Sequence, residues 1–435
     1  MKILRQIQIK QAHSLALFLI SASVLFMPQQ SEAVPAFSRQ TGMACASCHF
    51  QNFPALNSFG RTFRAQGYTM RGQQKMVEGD DLSLPSTLNA SVITKIRYQQ
   101  KSNADGDRGE IQWPDEAALL IGGRASEHIG FLMELGLGPQ EGTGKSSRNP
   151  GDTNNDGIED PDENWTENVE TKVTGNYLST KFHFNPADNF AIVTFSTDGL
   201  GVGYGFELMN TGAQRSQRPI ENRKGFSAGQ MLGTASGKAT GMAFVYHNNS
   251  LFVNYSHWTP EWGNSNANIM GGMANYLRVA YMPNIGGWDT GFGFSQMSGS
   301  VKTGATDPAT EIFVDSWTVD AQAQGEIGSL PFGLYASYGV TPKSTAMEEN
   351  HYNSSTTDDL TAHGMVAKLG IIPGKTQVYT GYGSKDSGTN GSVSTTTIGI
   401  QHNLAQNIKL ELYNAKSDSD NPGDDYTMLM FFAGF

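Results

Sequence analysis

Along most of the chain apolar and polar residues alternate one by one, the period of a strand with one dry face and one wet face. Val92, Thr94, Ile96 and Tyr98 interleave with Lys95, Arg97 and Gln99; Leu277, Val279 and Tyr281 with Arg278 and Ala280; Ile408, Leu410 and Leu412 with Lys409, Glu411 and Tyr413. From Ser86 onward these stretches run about ten residues, the length that crosses a bilayer as a tilted strand. Short polar turns fall near residues 126–128, 185–188, 247–250, 283–287, 328–331, 373–374 and 404–406. Between them lie longer loops at residues 102–110, 139–166, 199–237, 259–272, 298–310, 341–360, 385–392 and 417–425. Seven short and eight long connections delimit about sixteen strands, an even number that puts both ends of the barrel on the short-turn side. The expected fold is all-β, a transmembrane antiparallel β-barrel of about 16 strands over residues 86–435. A small helical module (residues 34–75) and a linker (76–85) precede it.

Composition agrees with a barrel. Hydrophobic residues make up only 38% of the chain while glycine numbers 50, so the core of a soluble fold would be thin. A barrel tolerates this because only alternate residues face lipid. At the N-terminus Lys2, Arg5 and Lys10 precede an apolar run over residues 14–27 and the small-residue pattern Ser31-Glu32-Ala33. That run, about fourteen residues, falls short of the roughly 18 to 20 needed to span a bilayer, and residues 1–33 read as a secretory signal peptide. The signal carries +2, so the remaining 402 residues stand near −13 against −11 for the whole chain. Nucleic acid is excluded as a partner, since phosphate binding needs concentrated positive charge. No second apolar run is long enough for a membrane helix, which leaves a soluble exported protein or an outer-membrane barrel. The last residues, Met430-Phe431-Phe432-Ala433-Gly434-Phe435, form an amphipathic segment closing on an aromatic, similar to the terminal strand of outer-membrane barrels.

The chemistry is concentrated in Cys45-Ala46-Ser47-Cys48-His49, which holds the only two cysteines. Two thiols at this spacing meet the two vinyl groups of one haem, and the adjoining imidazole coordinates the iron from the same turn. The competing redox-pair reading wants a βαβ context that is not visible. Cys45, Cys48 and His49 are therefore the predicted attachment residues for one covalent haem c. Met70, 21 residues after His49 and beyond a short predicted helix at residues 56–65, is the candidate sixth ligand, with Met76 as a second option. Methionine there would raise the potential relative to histidine. Arg61 and Arg64 are candidates to pair with haem propionates.

The flanking residues carry a resemblance. Pro35-Ala36-Phe37-Ser38-Arg39-Gln40-Thr41-Gly42, the haem pentapeptide, Phe53-Pro54-Ala55-Leu56, Phe59-Gly60-Arg61 and Gly67-Tyr68 together span about 35 residues. This stretch closely resembles the N-terminal cytochrome of the fused monohaem cytochrome-porins of bacterial outer membranes, some of which oxidise extracellular ferrous iron. The resemblance implies haem at Cys45, Cys48 and His49 with a barrel behind it. The iron-oxidising members would make the chain an Fe2+:cytochrome c oxidoreductase. This sequence places Phe50-Gln51-Asn52-Phe53 between His49 and Pro54, which leaves the donor open.

Other signals are weaker. Asp152, Asn154, Asp156, Ile158 through its carbonyl, and Glu163 match a calcium-loop spacing with Gly157 at the sharp turn, although Pro161 lies inside and no flanking helices are visible. A solvated acidic loop is the alternative. Glu348-Glu349, Asp358-Asp359 and residues 418–425 would concentrate cations near the barrel mouth through their field. Arg215, Arg218, Arg223 and Lys224 lie in the longest loop, to fold into the lumen, bind lipopolysaccharide phosphates or stay in solvent. The remaining histidines show no metal-ligand spacing.

The expected function is electron transfer across the outer membrane. A haem held in or under the barrel would take electrons from extracellular Fe2+ or another reduced donor to periplasmic c-type cytochromes. The alternatives are a porin for small solutes or ions with the haem module as plug or redox sensor, and a soluble periplasmic carrier whose β-domain docks partners.

Overall fold

The computed structural model describes residues 35–137 and 178–435, except 73, 81–82, 104–105, 216, 264–266, 268, 270–271, 304–309, 406 and 420–424. The expected signal peptide (residues 1–33) and the calcium-loop candidate Asp152, Asn154, Asp156, Ile158 and Glu163 lie outside the described residues.

Three short helices open the described chain: α1 (Pro35–Thr41), α2 (Cys45–Cys48) and α3 (Ser58–Ala65). The barrel then begins with β1 (Ala90–Asn103), β2 (Gly106–Arg124), β3 (Ile129–Gly136), β4 (Leu178–Ala187) and β5 (Phe190–Thr197). It continues through β6 (Ala239–His247), β7 (Leu251–Thr259), β8 (Ala274–Tyr281), β9 (Trp288–Ser298), β10 (Ser316–Ile327) and β11 (Leu330–Thr341). β12 (Leu360–Ile372), β13 (Thr376–Asp386), β14 (Ser392–Ala405), β15 (Ile408–Ser417) and β16 (Tyr426–Gly434) complete it. Each strand pairs antiparallel with its neighbour in sequence, and β16 closes on β1 from Tyr426↔Lys101 to Gly434↔Ile93. The sixteen strands form a closed antiparallel barrel, as expected.

Closure removes the free sheet edges, and the pleat sorts the side chains. On β1 Lys95, Arg97 and Gln99 are buried inside while Val92 and Tyr98 are exposed outside. On β8 Arg278 and Ala280 point inward and Tyr281 outward; on β15 Lys409, Glu411 and Tyr413 point inward and Leu412 outward. An exposed apolar exterior of Phe182, Phe244, Phe292, Ile398, Leu412 and Leu429 surrounds a polar interior. This is the architecture of a bacterial outer-membrane barrel, in which every backbone group is paired within the lipid. No helix among the described residues is long and apolar enough to cross a membrane.

Several connections depart from expectation, among them the long loop expected at residues 298–310, where Ser300–Thr303 pairs with Thr310–Phe313. The loop expected at residues 102–110 is strand: β1 and β2 stay paired up to Asn103↔Gly106. Its polar residues pair across the ribbon, Lys101 meeting Glu110 at 3.4 Å, and a ribbon projecting beyond the lipid needs no apolar face. The linker at residues 76–85 contains a small ribbon, with Met76–Glu78 against Ser83–Pro85.

The connection from β5 to β6 turns inward. Phe206, Leu208, Met209 and Ile220 are almost wholly buried, as are the polar Asn210, Gln214 and Gln217. Hydrogen bonds fasten this loop around the lumen wall. Thr211 donates to Asp320 at 2.8 Å, Lys368 to the Pro219 carbonyl at 2.6 Å and Asn222 to Thr397 at 2.8 Å. Arg278 joins the loop to the wall by pairing with Glu207 at 2.8 Å and Asp320 at 2.5 Å.

Candidate haem site in the lumen

The N-terminal segment lies inside the short-turn end of the barrel. Asn185, near the end of β4, donates to the Gln66 carbonyl at 2.9 Å, and Arg61 pairs with Asp289 at the start of β9 at 2.5 Å. The backbone comes close to the wall at Gly67, where a Cβ on Gly130 would stand 1.6 Å from the Gly67 carbonyl oxygen. Gly67 also takes the left-handed φ of +64° that ends α3.

Within the segment α3 starts because Asn57 caps it, its side chain accepting from the Gly60 amide at 2.9 Å. Gly60 then faces α2 so closely that a Cβ would lie 2.0 Å from the Cys48 carbonyl oxygen. The glycine of the Phe59-Gly60-Arg61 element thus lets the two helices touch backbone to backbone. The His49 amide closes the preceding turn on the Cys45 carbonyl at 2.9 Å, which keeps both thiols and the imidazole on one short element.

Cys45, Cys48 and His49 all line one cavity. The two cysteines are not bridged. His49 Nδ1 lies 3.2 Å from the Ala55 carbonyl and donates its proton there, which turns Nε2 to the nitrogen left for iron. Burial holds the imidazole pKa down to about 4, so the ring is neutral, the form a metal binds. The Cys48 thiol is pushed up to about 11 by burial and by Cys45 beside it. This donor set and its shared cavity fit a c-type haem.

The cavity walls come from both parts of the chain. Phe53, Leu56 and Phe63 of the segment face Leu120 of β2, Leu132 of β3 and Phe432 of β16. Phe53 sits edge-on to the His49 ring at 5.5 Å and stacks on Phe432 at 5.4 Å, so the last strand of the barrel steadies the imidazole. The stretch Phe50-Gln51-Asn52-Phe53 also docks the segment: Asn52 donates to Gln401 of β14 at 3.1 Å and Gln51 to the Pro331 carbonyl at 3.4 Å. From the inward loop, Asn210 accepts from the Leu56 amide at 2.8 Å and donates to the Leu56 carbonyl at 2.9 Å.

The other candidate residues are distributed as follows. Arg61 does not line the cavity; its guanidinium is bound to Asp289, because the buried face of α3 turns it to the barrel wall. Arg64 does line it, with its two terminal nitrogens donating to Gln217 at 2.6 Å and Gln214 at 2.5 Å. Met70 lies past α3, its carbonyl accepting from Gln40 at 2.8 Å, and is not among the cavity-lining residues, whereas Met43 is. Met76 is in the small ribbon. Arg215, Arg218 and Arg223 follow the inward loop to the cavity, and Lys224 is exposed. The acidic pairs at the long-loop end are tied into turns: Asp358 accepts from Thr389 and Thr357, both at 2.6 Å, and Asp418 accepts from Ser394 at 2.5 Å. These hydrogen bonds hold both carboxyls below their usual range. Among the described residues no cluster of three or more His, Cys, Asp or Glu is placed to hold a metal ion.

The protein is thus a sixteen-stranded barrel of outer-membrane type, with its N-terminal segment folded into the lumen. No protein-family model and no curated protein matches the sequence. Among solved structures, OprB of Pseudomonas putida is 13% identical over 80% of this chain and 94% of its own, with a TM-score of 0.49. A loop-deletion mutant of OmpT, an outer membrane protein of Vibrio cholerae, is 12% identical over 80% of this chain and 99% of its own, at 0.46. A porin is 14% identical over 80% of this chain and its full length, at 0.44.

Proposed function

We propose that the chain is an outer-membrane electron conduit carrying one haem c, joined covalently to Cys45 and Cys48 and ligated by His49. The observation that carries this reading is the shared cavity, which brings both thiols and the His49 ring together inside a membrane barrel. When bound, the haem supplies a one-electron couple, set within a barrel that spans a hydrocarbon layer of roughly 30 Å. The chain's own residues do the rest. Ala55 fixes the imidazole tautomer, Phe53 and Phe432 fix its plane, and Leu56, Phe63, Leu120 and Leu132 keep water from the cavity wall. Reduced donors such as Fe2+ would react from the long-loop side, and periplasmic c-type cytochromes would take the electron at the short-turn side. Haem staining and a pyridine haemochrome spectrum of the purified full chain test the attachment. A c-type spectrum lost in the Cys45→Ser, Cys48→Ser double variant is expected; a haem-free parent refutes the reading.

One observation favours a second reading. A closed sixteen-stranded barrel is porin architecture. As a porin for small solutes or ions with the N-terminal segment as plug or redox sensor, the chain would show a flux that changes with haem oxidation state. The inward loop and the docked segment both occupy the lumen, which speaks for the conduit.

A further inference from the structure

We infer that the positive partner for a haem propionate comes from the barrel wall, at Lys181 of β4, and not from the arginines of α3. This rests on the haem reading above and deepens it. Lys181 is wholly buried, yet it lines the same cavity as Cys45, Cys48 and His49. Its ammonium has only a long hydrogen bond of 3.4 Å to the Tyr204 carbonyl, supplemented by the faces of the Tyr204 and Tyr68 rings at 4.9 and 5.8 Å. Among the described residues no ion pair to it is formed, although Glu134 of β3, in the same cavity, acts on it through its field. A buried ammonium without an anion is costly, and aromatic faces repay only part of that cost.

Most of the other cations in and beside the cavity have partners, Arg223 donating to the Arg215 carbonyl at 3.2 Å. Lys95 pairs with Glu116 at 2.7 Å and Glu221 at 3.2 Å, and Arg218 with Glu221 at 2.9 Å. Arg61 pairs with Asp289, and Arg64 is held between Gln214 and Gln217. Arg215, which also lines the cavity, donates among the described residues to the Gly199 carbonyl at 3.3 Å and is the natural second partner. In all, six basic and four acidic side chains line the cavity, an excess of positive charge that a dianionic haem offsets. An anionic ligand that brings its own carboxylates satisfies Lys181 directly.

The inference has a functional consequence, since a haem fixed to the segment at one edge and to the barrel at the other would lock the two parts together. A cation held at a propionate would also offset the negative charge at the haem edge, which disfavours the ferric state and would raise the potential.

The test uses the full-length holoprotein in detergent, with Lys181→Leu and Lys181→Arg. Potentiometric titration should show a downward shift in midpoint potential for Lys181→Leu and a near-parental value for Lys181→Arg. The propionate bending band in the resonance Raman spectrum should move in the first variant and stay in the second. If Lys181→Leu fails to accumulate as a folded barrel, Lys181→Gln removes the same charge and is read in the same way. A haem-loaded Leu or Gln variant with parental potential and Raman band overturns the assignment of Lys181 alone. A parent without covalent haem overturns the haem reading as well.

Discussion

Replacing Arg61 by alanine should loosen the N-terminal segment from the barrel without disturbing the barrel itself. The Arg61 side chain is 4% exposed and its bond to Asp289 is 2.5 Å long, while Asp289 is 22% exposed. Loss of a charge-assisted hydrogen bond of this kind costs roughly 1.5 to 3 kcal/mol. Removing one partner of a fully buried pair costs about 3 to 5 kcal/mol, but residual solvent at Asp289 puts this pair below that range. A value of about 2 kcal/mol raises the undocked fraction roughly thirtyfold. Limited proteolysis of the purified full chain measures that fraction, because cleavage in the segment tracks the open population when reclosing is fast. Cleavage should accelerate by about one and a half orders of magnitude. Asp289→Asn should have a similar effect, and the double variant should fall short of the sum, since the two residues act on one bond. Parental cleavage rates in Arg61→Ala would refute the docking described here.

Three further outcomes are expected. Gly60→Ala sets a Cβ 2.0 Å from the Cys48 carbonyl oxygen, a backbone atom that cannot rotate away, and should cost at least 1 to 3 kcal/mol, roughly, in the segment. Haem per barrel should fall while the heat-modifiable gel mobility of the barrel is kept. Met70→Leu should leave the axial-ligand band of the haem in place, because Met70 is outside the cavity lining; loss of the band would identify Met70 as the sixth ligand and contradict this placement. Reconstituted in planar bilayers, the full chain should conduct far less than an open sixteen-stranded porin measured beside it; equal conductance would favour the porin reading.

The strands were legible in the sequence because lipid on one side and a polar lumen on the other impose strict alternation, as at residues 92–99 and 408–413. Turn lengths then supplied the count of sixteen. The pentapeptide Cys45 to His49 was equally plain as a motif, since its spacing is local, and the folded chain keeps its three donor residues on one cavity. The inward path of residues 199–237 was not, because it depends on partners far along the chain: Lys368, Asp320 and Thr397 read as ordinary luminal residues. For the same reason Arg61 reads as a propionate partner in isolation and finds Asp289 only in the folded chain. Lys181 offered no signal beyond a polar residue in an alternating strand. Only Gly60 carried a hint, as a glycine inside the helix predicted at residues 56–65.

The most direct test of electron transfer through this barrel is the absorbance of the c-type haem in intact cells as Fe2+ is added outside. The conduit account predicts that the haem bands of cells producing the full chain become reduced, and that cells producing the Cys45→Ser, Cys48→Ser variant show no such change. Haem that Fe2+ reduces only after the outer membrane has been broken would contradict it.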